Sequence, residues 1–140
     1  MALLHSTALK TYDLASGIAT AFDTTGQLRI YTGTKPASAD TAPSGTLITT
    51  HTLAADAFGT PAAGVVTANA IGSAAAAANG TLGWFRLQLS GDAGTTNTTD
   101  RRLDGTVTLN GAGGDLTFDN TTVTAGQTVT ITALTYTHPI

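Results

Sequence analysis

The sequence predicts a mainly β protein: an antiparallel β-sandwich or jelly-roll-like domain carrying one short N-terminal α-helix. Composition, period and length predict it. Thirty of the 140 residues are Thr, 24 are Ala and 16 are Gly, while Glu is absent and charged residues make up only 11%. Helical proteins draw on Glu, Lys, Leu and Arg, whereas β-branched Thr suits strands and Gly suits the turns between them. From Gln27 onward the apolar residues recur with period two, in short runs separated by turn residues. The length fits one domain with one core, divided here into an N-terminal arm and helix (1–26) and a sandwich (27–140).

The elements run in order along the chain. From Ser6 to Phe22 the residues Ala8, Leu9, Tyr12, Ala15, Ala19 and Phe22 recur every three or four positions, which predicts a helical stripe capped by Ser6. Gly17 weakens that helix and Gly26 stops it. Strands are predicted at Gln27–Thr32, Gly45–Leu53, Gly64–Ile71, Thr81–Ser90, Leu103–Asn110, Asp115–Phe118, Thr121–Thr124 and Thr128–Thr137. In the strongest, Phe85, Leu87 and Leu89 point one way and Trp84, Arg86 and Gln88 the other, as in a half-buried antiparallel strand. Val129 and Ile131 share a face, but Leu134 and Tyr136 take the opposite parity, so a bulge or a change of sheet is expected near Ala133. The expected core is Leu28, Ile30, Phe85, Leu87, Leu89, Val107, Leu109, Val129 and Ile131.

The remaining segments read as connections. Thr34–Gly45 is polar and broken by prolines, a surface excursion. Ala74–Ala78 is a loop with a helical tendency, too short to propagate a helix. Gly91–Arg102 is the longest Thr/Asn/Asp stretch and reads as an exposed, mobile hairpin loop. Gly111-Ala112-Gly113-Gly114 lacks the remainder of any phosphate-binding fingerprint and is a turn between two strands.

Chemistry is sparse. Nine Asp against two Lys and four Arg give a formal charge of −3, a balance opposed to nucleic-acid binding, which rests on clustered Lys and Arg. With no Cys there are no disulfides or thiolate sites. His5, His51 and His138 have no metal-ligand spacing. Asp92, Asp100, Asp104, Asp115 and Asp119 could gather a calcium ion from distant turns, but no calcium-loop ladder is present, and Asp in turns explains them. No Gly-x-Ser-x-Gly or other nucleophile motif occurs. The expectation is therefore a non-enzyme with no catalytic residue, metal site or cofactor. Trp84, Phe85, Tyr31 and Tyr136 could stack on sugars or bases, yet so few aromatics are expected in the core or a subunit contact. The Asn-x-Thr sequons at Asn79, Asn97 and Asn120 are close to the number chance supplies. Met1–Ser6 lacks a basic region followed by a long apolar run, and no stretch has membrane-spanning length, so synthesis in the cytoplasm and no membrane partner are expected.

The segment Leu28-Arg29-Ile30-Tyr31-Thr32-Gly33-Thr34-Lys35-Pro36-Ala37-Ser38-Ala39-Asp40-Thr41-Ala42, followed by Gly45-Thr46-Leu47-Ile48, resembles a pattern in small structural proteins of tailed bacteriophages. Asn79-Gly80-Thr81-Leu82-Gly83-Trp84-Phe85-Arg86 resembles it too, as do Gly114-Asp115-Leu116-Thr117, the run Thr121–Val129, and Tyr136-Thr137-His138-Pro139. The resemblance spans most of the chain, the Gly91–Arg102 insertion being a departure. It implies a virion protein of the head, a capsid decoration or cement protein. Its partners would be the major capsid protein and further copies of itself, a trimer at threefold positions. The rival reading is a tail-fibre or baseplate adhesin presenting Trp84 or the Gly91–Arg102 loop to a glycan. The resemblance carries no catalytic residues.

Overall fold

The computed structural model describes residues 3–9, 13 and 17–138. It is mainly β, with antiparallel sheets packed together as in a sandwich. The strands are β1 (Leu4–His5), β2 (Gly26–Thr32), β3 (Leu47–Thr52), β4 (Val65–Thr67), β5 (Ala74–Ala75), β6 (Gly80–Leu89), β7 (Leu103–Leu109), β8 (Leu116–Phe118), β9 (Thr122–Val123), β10 (Thr128–Val129) and β11 (Thr135–Thr137). The main sheet runs β1-β7-β6-β2-β3, with β8 beside β7 and β9 beside β6, and two small sheets pair β10 with β5 and β11 with β4.

Ser6 caps as expected, its Oγ accepting the Leu9 N–H at 3.1 Å. The expected stripe does not run on to Phe22 as one helix. Residues 7–9 are helical, as is Asp13, but Gly17 takes φ 90° and ψ 154°, outside any helix, and Ile18–Thr20 is a single 3-10 turn. Leu9 and Phe22 still reach the core; Tyr12 and Ala15 lie outside the described residues.

The main sheet is built on cross-strand pairs. Phe85 opposes Ile30 on one side and Gly105 on the other, and Leu87 opposes Leu28 and Leu103. All but Gly105 belong to one apolar cluster with Phe58, Val66, Ile131, Leu134 and Tyr136. The small sheets thus cover one face of the large one, burying apolar area at about 25 cal/mol per Å². A Cβ at Gly105 would stand 2.5 Å from Phe85 Cε1 and Cζ, so the missing side chain is the space the ring occupies. Leu89 is half-buried and packs against the cluster at its edge, whereas Leu109 is 49% exposed, which removes Leu109 from the expected core. Leu109 sits at the end of β7, where no layer lies over it.

The small sheets form one interrupted ribbon. Thr135 pairs with Thr67 and Val129 with Ala74, so the register moves by one residue between them. Thr132 and Ala133 are both exposed between buried Ile131 and Leu134, and the parity slip near Ala133 is this change of sheet. Ala74–Ala75, expected in a loop, is strand, because β10 offers it an edge; pairing overrides the weak helical preference of alanine.

The Gly-rich turn after β7 does not make a hairpin. β8 runs parallel to β7, with Val107 beside Leu116, connected through residues 110–115 alone. Asp115 Oδ2 accepts the Thr106 N–H at 2.8 Å, and Thr108 Oγ1 accepts the Gly114 N–H at 3.0 Å. Side chains thus take bonds a hairpin ladder would supply.

Two substitutions test the packing. Gly105→Ala forces the Phe85 ring aside and should cost about 1–3 kcal/mol in urea unfolding. The β4 turn Ala62–Val65 closes with reciprocal 2.9 Å bonds and places Ala63 at φ 52° and Gly64 at φ 77°, a conformation that favours Asn-Gly. Ala63→Asn should therefore raise stability by roughly 0.5–1 kcal/mol in the same measurement.

Candidate functional site

The second face of the main sheet carries the concentrated chemistry. Arg86 and Gln88, expected on the open face of a half-buried strand, are at most 1% exposed, and Trp84 beside them is buried as expected for one of so few aromatics. β6 is buried on both faces because the Thr34–Gly45 and Gly91–Arg102 segments lie over this side. Tyr31 and Trp84, cross-strand partners, stack at 4.5 Å between centroids with 14° between planes. The Arg86 guanidinium carbon lies 5.4 Å from the Trp84 ring centroid, within range of a cation–π contact.

Arg86 and Asp104 are cross-strand partners and form a two-pronged pair, Nε to Oδ1 and Nη2 to Oδ2, both 2.7 Å, with both side chains fully buried. The third prong, Nη1, donates to the Thr41 carbonyl at 3.0 Å. Arg102 repeats the arrangement: Nε to Asp92 Oδ2 at 2.5 Å, Nη2 to Asp92 Oδ1 at 2.6 Å and Nη2 to the Thr95 carbonyl at 2.9 Å. Its Nη1 reaches the Ala39 and Asp40 carbonyls at 3.4 and 3.3 Å. Two arginines thus hold the backbones of both long connections through charge-assisted bonds.

The two carboxylates respond differently. Burial pushes Asp104 above the usual carboxylate range, and the Arg86 bonds only partly oppose it. Burial pushes Asp92 the same way, but the Arg102 and Gly94 hydrogen bonds outweigh it and leave Asp92 below that range.

These contacts correct one expectation. Gly91–Arg102 is not a free loop: Asp92 is buried, Asn97 N–H donates to the Asp40 carbonyl at 3.0 Å, and Thr96 Oγ1 accepts from Ala42 N–H at 3.1 Å. Residues 4–7 and the Thr34–Gly45 excursion are tied to the body as well. Leu4 pairs with Asp104, Thr7 donates twice to the Asp40 carboxylate at 2.7 and 2.6 Å, and Ala39 is fully buried.

The structure separates the predicted candidates. Trp84 and Tyr31 are buried together, Phe85 lies on the opposite face, and Tyr136 is in the ribbon layer, so the four aromatics build no platform. Asp92, Asp100 and Asp104 serve arginines, Asp115 serves Thr106, and Asp119 bonds Asn110. Among the described residues no group of three or more His or Asp is placed to hold a metal ion, and no helix of the described residues is long and apolar enough to cross a membrane. His5 and His138, distant in sequence, flank Tyr136 with ring centroids 5.8 and 6.5 Å away. Burial and the nearby Asp13 charge push the Tyr136 phenol up to about 12. A groove of about 460 Å³ beside it is lined by Ile18, Ala19, Pro61, Val65 and His138.

His51, on the apolar side of edge strand β3, is 1% exposed. Its Nδ1 lies 2.8 Å from the Gly72 carbonyl, which can only accept, so Nδ1 carries the proton and Nε2 accepts from Thr49 Oγ1 at 3.0 Å. Burial holds its pKa below 6.5, the Gly72 bond opposing only in part. Pairing was missed because Arg86–Asp104 and Asp92–Arg102 are joined by sheet register and loop return. The legible signal was Arg86 alternating with Trp84 and Gln88 in a chain with so few charges.

No protein-family model, curated protein or solved structure matches the chain.

Two measurements probe this layer. Asp104→Ala strands a buried guanidinium and should cost about 3–5 kcal/mol, whereas the double variant Arg86→Met/Asp104→Leu should lose much less. Acidification should destabilise the fold in two stages. The neutral His51 stabilises above 6.5, and this contribution is lost as pH falls through its lowered folded value. The Asp92 contribution is lost below the ordinary carboxylate range, while the raised Asp104 works with opposite sign, favouring the fold at low pH. His51→Gln should flatten the slope of Tm against pH as pH falls below about 6.5.

Proposed function

We propose that this protein is a structural component of a tailed-phage virion, a capsid decoration or cement protein that stabilises the assembled head by bridging capsid subunits without catalysis. The sequence resemblance motivates the reading, and one observation in the structure supports it: the segregation of charge. Residues 57–85 and 120–137 contain no Asp, Glu, Lys or Arg. Together they supply β4, β5, β9, β10 and β11. The outside of the ribbon is therefore neutral, with Thr67, Ala75, Thr128, Thr130, Thr132, Thr135 and Thr137 exposed. Surfaces that become the centre of subunit contacts are depleted in charge, and threonine hydroxyls keep such a face wettable before assembly.

A cement protein acts by mass action. Whatever binds the closed lattice and not the separated subunits shifts the balance toward the lattice. The internal arginine pairs suit this task, since a body whose long connections are already ordered loses less entropy on docking. Its partners in this reading are the major capsid protein and copies of itself, as a trimer at threefold positions on the virion surface. The rival adhesin reading loses its tryptophan, because Trp84 is 0% exposed and presents no face to a sugar.

Phage heads lacking the protein test the proposal. Adding the purified chain should give saturable binding and raise the temperature at which the heads rupture. Thr67→Lys/Thr135→Glu, which charges a cross-strand pair on the neutral face with opposite signs, should lower occupancy about tenfold while the unfolding free energy stays within about 0.5 kcal/mol. Location of the chain on the tail alone, or micromolar glycan binding without head binding, would overturn it.

A further inference from the structure

The β10 edge borders a groove whose geometry suits a strand. The chain turns from β9 into β10 at Ala125–Gly126, and there Gly126 N–H donates to the Ala76 carbonyl and Ala76 N–H to the Gln127 carbonyl at 2.7 and 2.8 Å. Gly126 has φ 88°, so this is a glycine bulge that fixes the register of β10. Gln127 is then the hydrogen-bonded partner of Ala76 and Val129 that of Ala74. Antiparallel alternation turns the backbone N–H and C=O of Thr128 and Thr130 away from β5, toward the open side. Thr128, Val129, Thr130 and Thr132 line a groove of about 290 Å³ together with Thr117 and Phe118 of β8, Val123 of β9 and Leu82 of β6.

Natural sheets blunt an open edge with Lys, Pro or an inward charge. Residues 120–137 contain none of these. The edge is rich in Thr and Val, residues that favour strand pairing. The charge of the lining is one-sided. Asp119 is the one ionisable group in it, beside the amides of Asn110, Asn120 and Gln127. The Asp119 Oδ1 accepts from Asn110 Nδ2 at 2.5 Å, and its Oδ2 has no hydrogen-bond partner among the described residues.

We propose that this groove receives an extended segment of another protein carrying a Lys or Arg, added as a strand against the Thr128–Thr132 edge with its cation at Asp119. Backbone pairing supplies the attachment, small or β-branched side chains fit between Phe118 and Val129, and the cation sets the direction of the strand. Strand β10 itself is Thr128–Val129, and residues 128–132 when extended span about 16 Å, enough for a segment of similar length. The inference rests on the groove alone and not on the capsid reading.

The probe is an acetylated, amidated pentapeptide of alternating Thr and Val with one terminal Lys, tested in both orientations. Amide resonances of the full chain are followed by two-dimensional NMR. Saturable shifts are expected at Thr128, Thr130, Thr132 and residues 117–120, in one orientation more than the other. Replacing Lys by Glu in the peptide, or Asp119 by Lys in the protein, should weaken binding about tenfold, and restoring opposite signs in the pair should recover it. N-methylation of alternate peptide amides should abolish the shifts, which a side-chain contact alone would survive. Thr130→Pro places its ring where the N–H points outward, so the fold stays intact and the peptide is refused. Shifts elsewhere on the surface, no saturation to about 1 mM peptide, or binding indifferent to N-methylation would overturn the proposal. None of these outcomes bears on head binding.

Discussion

Burying a charge inside a sheet this small is the constraint around which the molecule is arranged. Arg86 sits mid-strand in β6, fully buried, and a guanidinium there is tolerated only with its hydrogen bonds satisfied. Asp104 meets it across the strand pair, and the remaining donor needs a carbonyl from above. The Thr34–Gly45 segment must therefore return to the sheet at Thr41. Arg102 imposes the same requirement one strand away and brings Ala39, Asp40, Asp92 and Thr95 with it. The polar connections are thus positioned by what they must supply to two side chains, while the opposite face is closed by ordinary apolar packing.

Arg29 marks the weak point of this arrangement. It lies directly across from Arg86, its Nη2 bonds Gln27 at 3.2 Å, and its buried Nε has no partner among the described residues. Like charges opposed across a strand pair disfavour each other, and a buried donor left unbonded costs about 1–3 kcal/mol. Asp104 is committed to Arg86, and no carboxylate forms a salt bridge with Arg29 among the described residues, so the repulsion is left uncompensated.

Legibility in the sequence tracks physical range. Period-two alternation is a local property, and every predicted strand has a counterpart, down to the parity slip between Ile131 and Leu134. The Ser6 cap, also local, is present. What escaped depends on distant chain. Whether Arg86 faces solvent is decided by residues 41 and 104, and whether Ala74 is strand is decided by β10. Two-residue β1 carries no pattern of its own and exists because β7 has a free edge. The stripe is interrupted at Gly17 for the opposite reason: a single backbone conformation outweighs a correctly periodic pattern. The charged layer was legible only as an oddity, a lone Arg among large residues, since no local signal names its partner.

The pairing of β11 with β4 and of β1 with β7 has a consequence for the life of the chain on the ribosome. Tyr136 and Leu134 close the core that Val66 and Phe58 begin, and β1 waits on Leu103 and Asp104 for its partner. A nascent chain that has emerged only to residue 130 holds most of its strands and cannot close the β4 end of the core. Folding dominated by such late, distant contacts is slow and cooperative. The core at the β4 end is therefore completed only once residue 137 is free, and until then the neutral strand β4 lacks its partner.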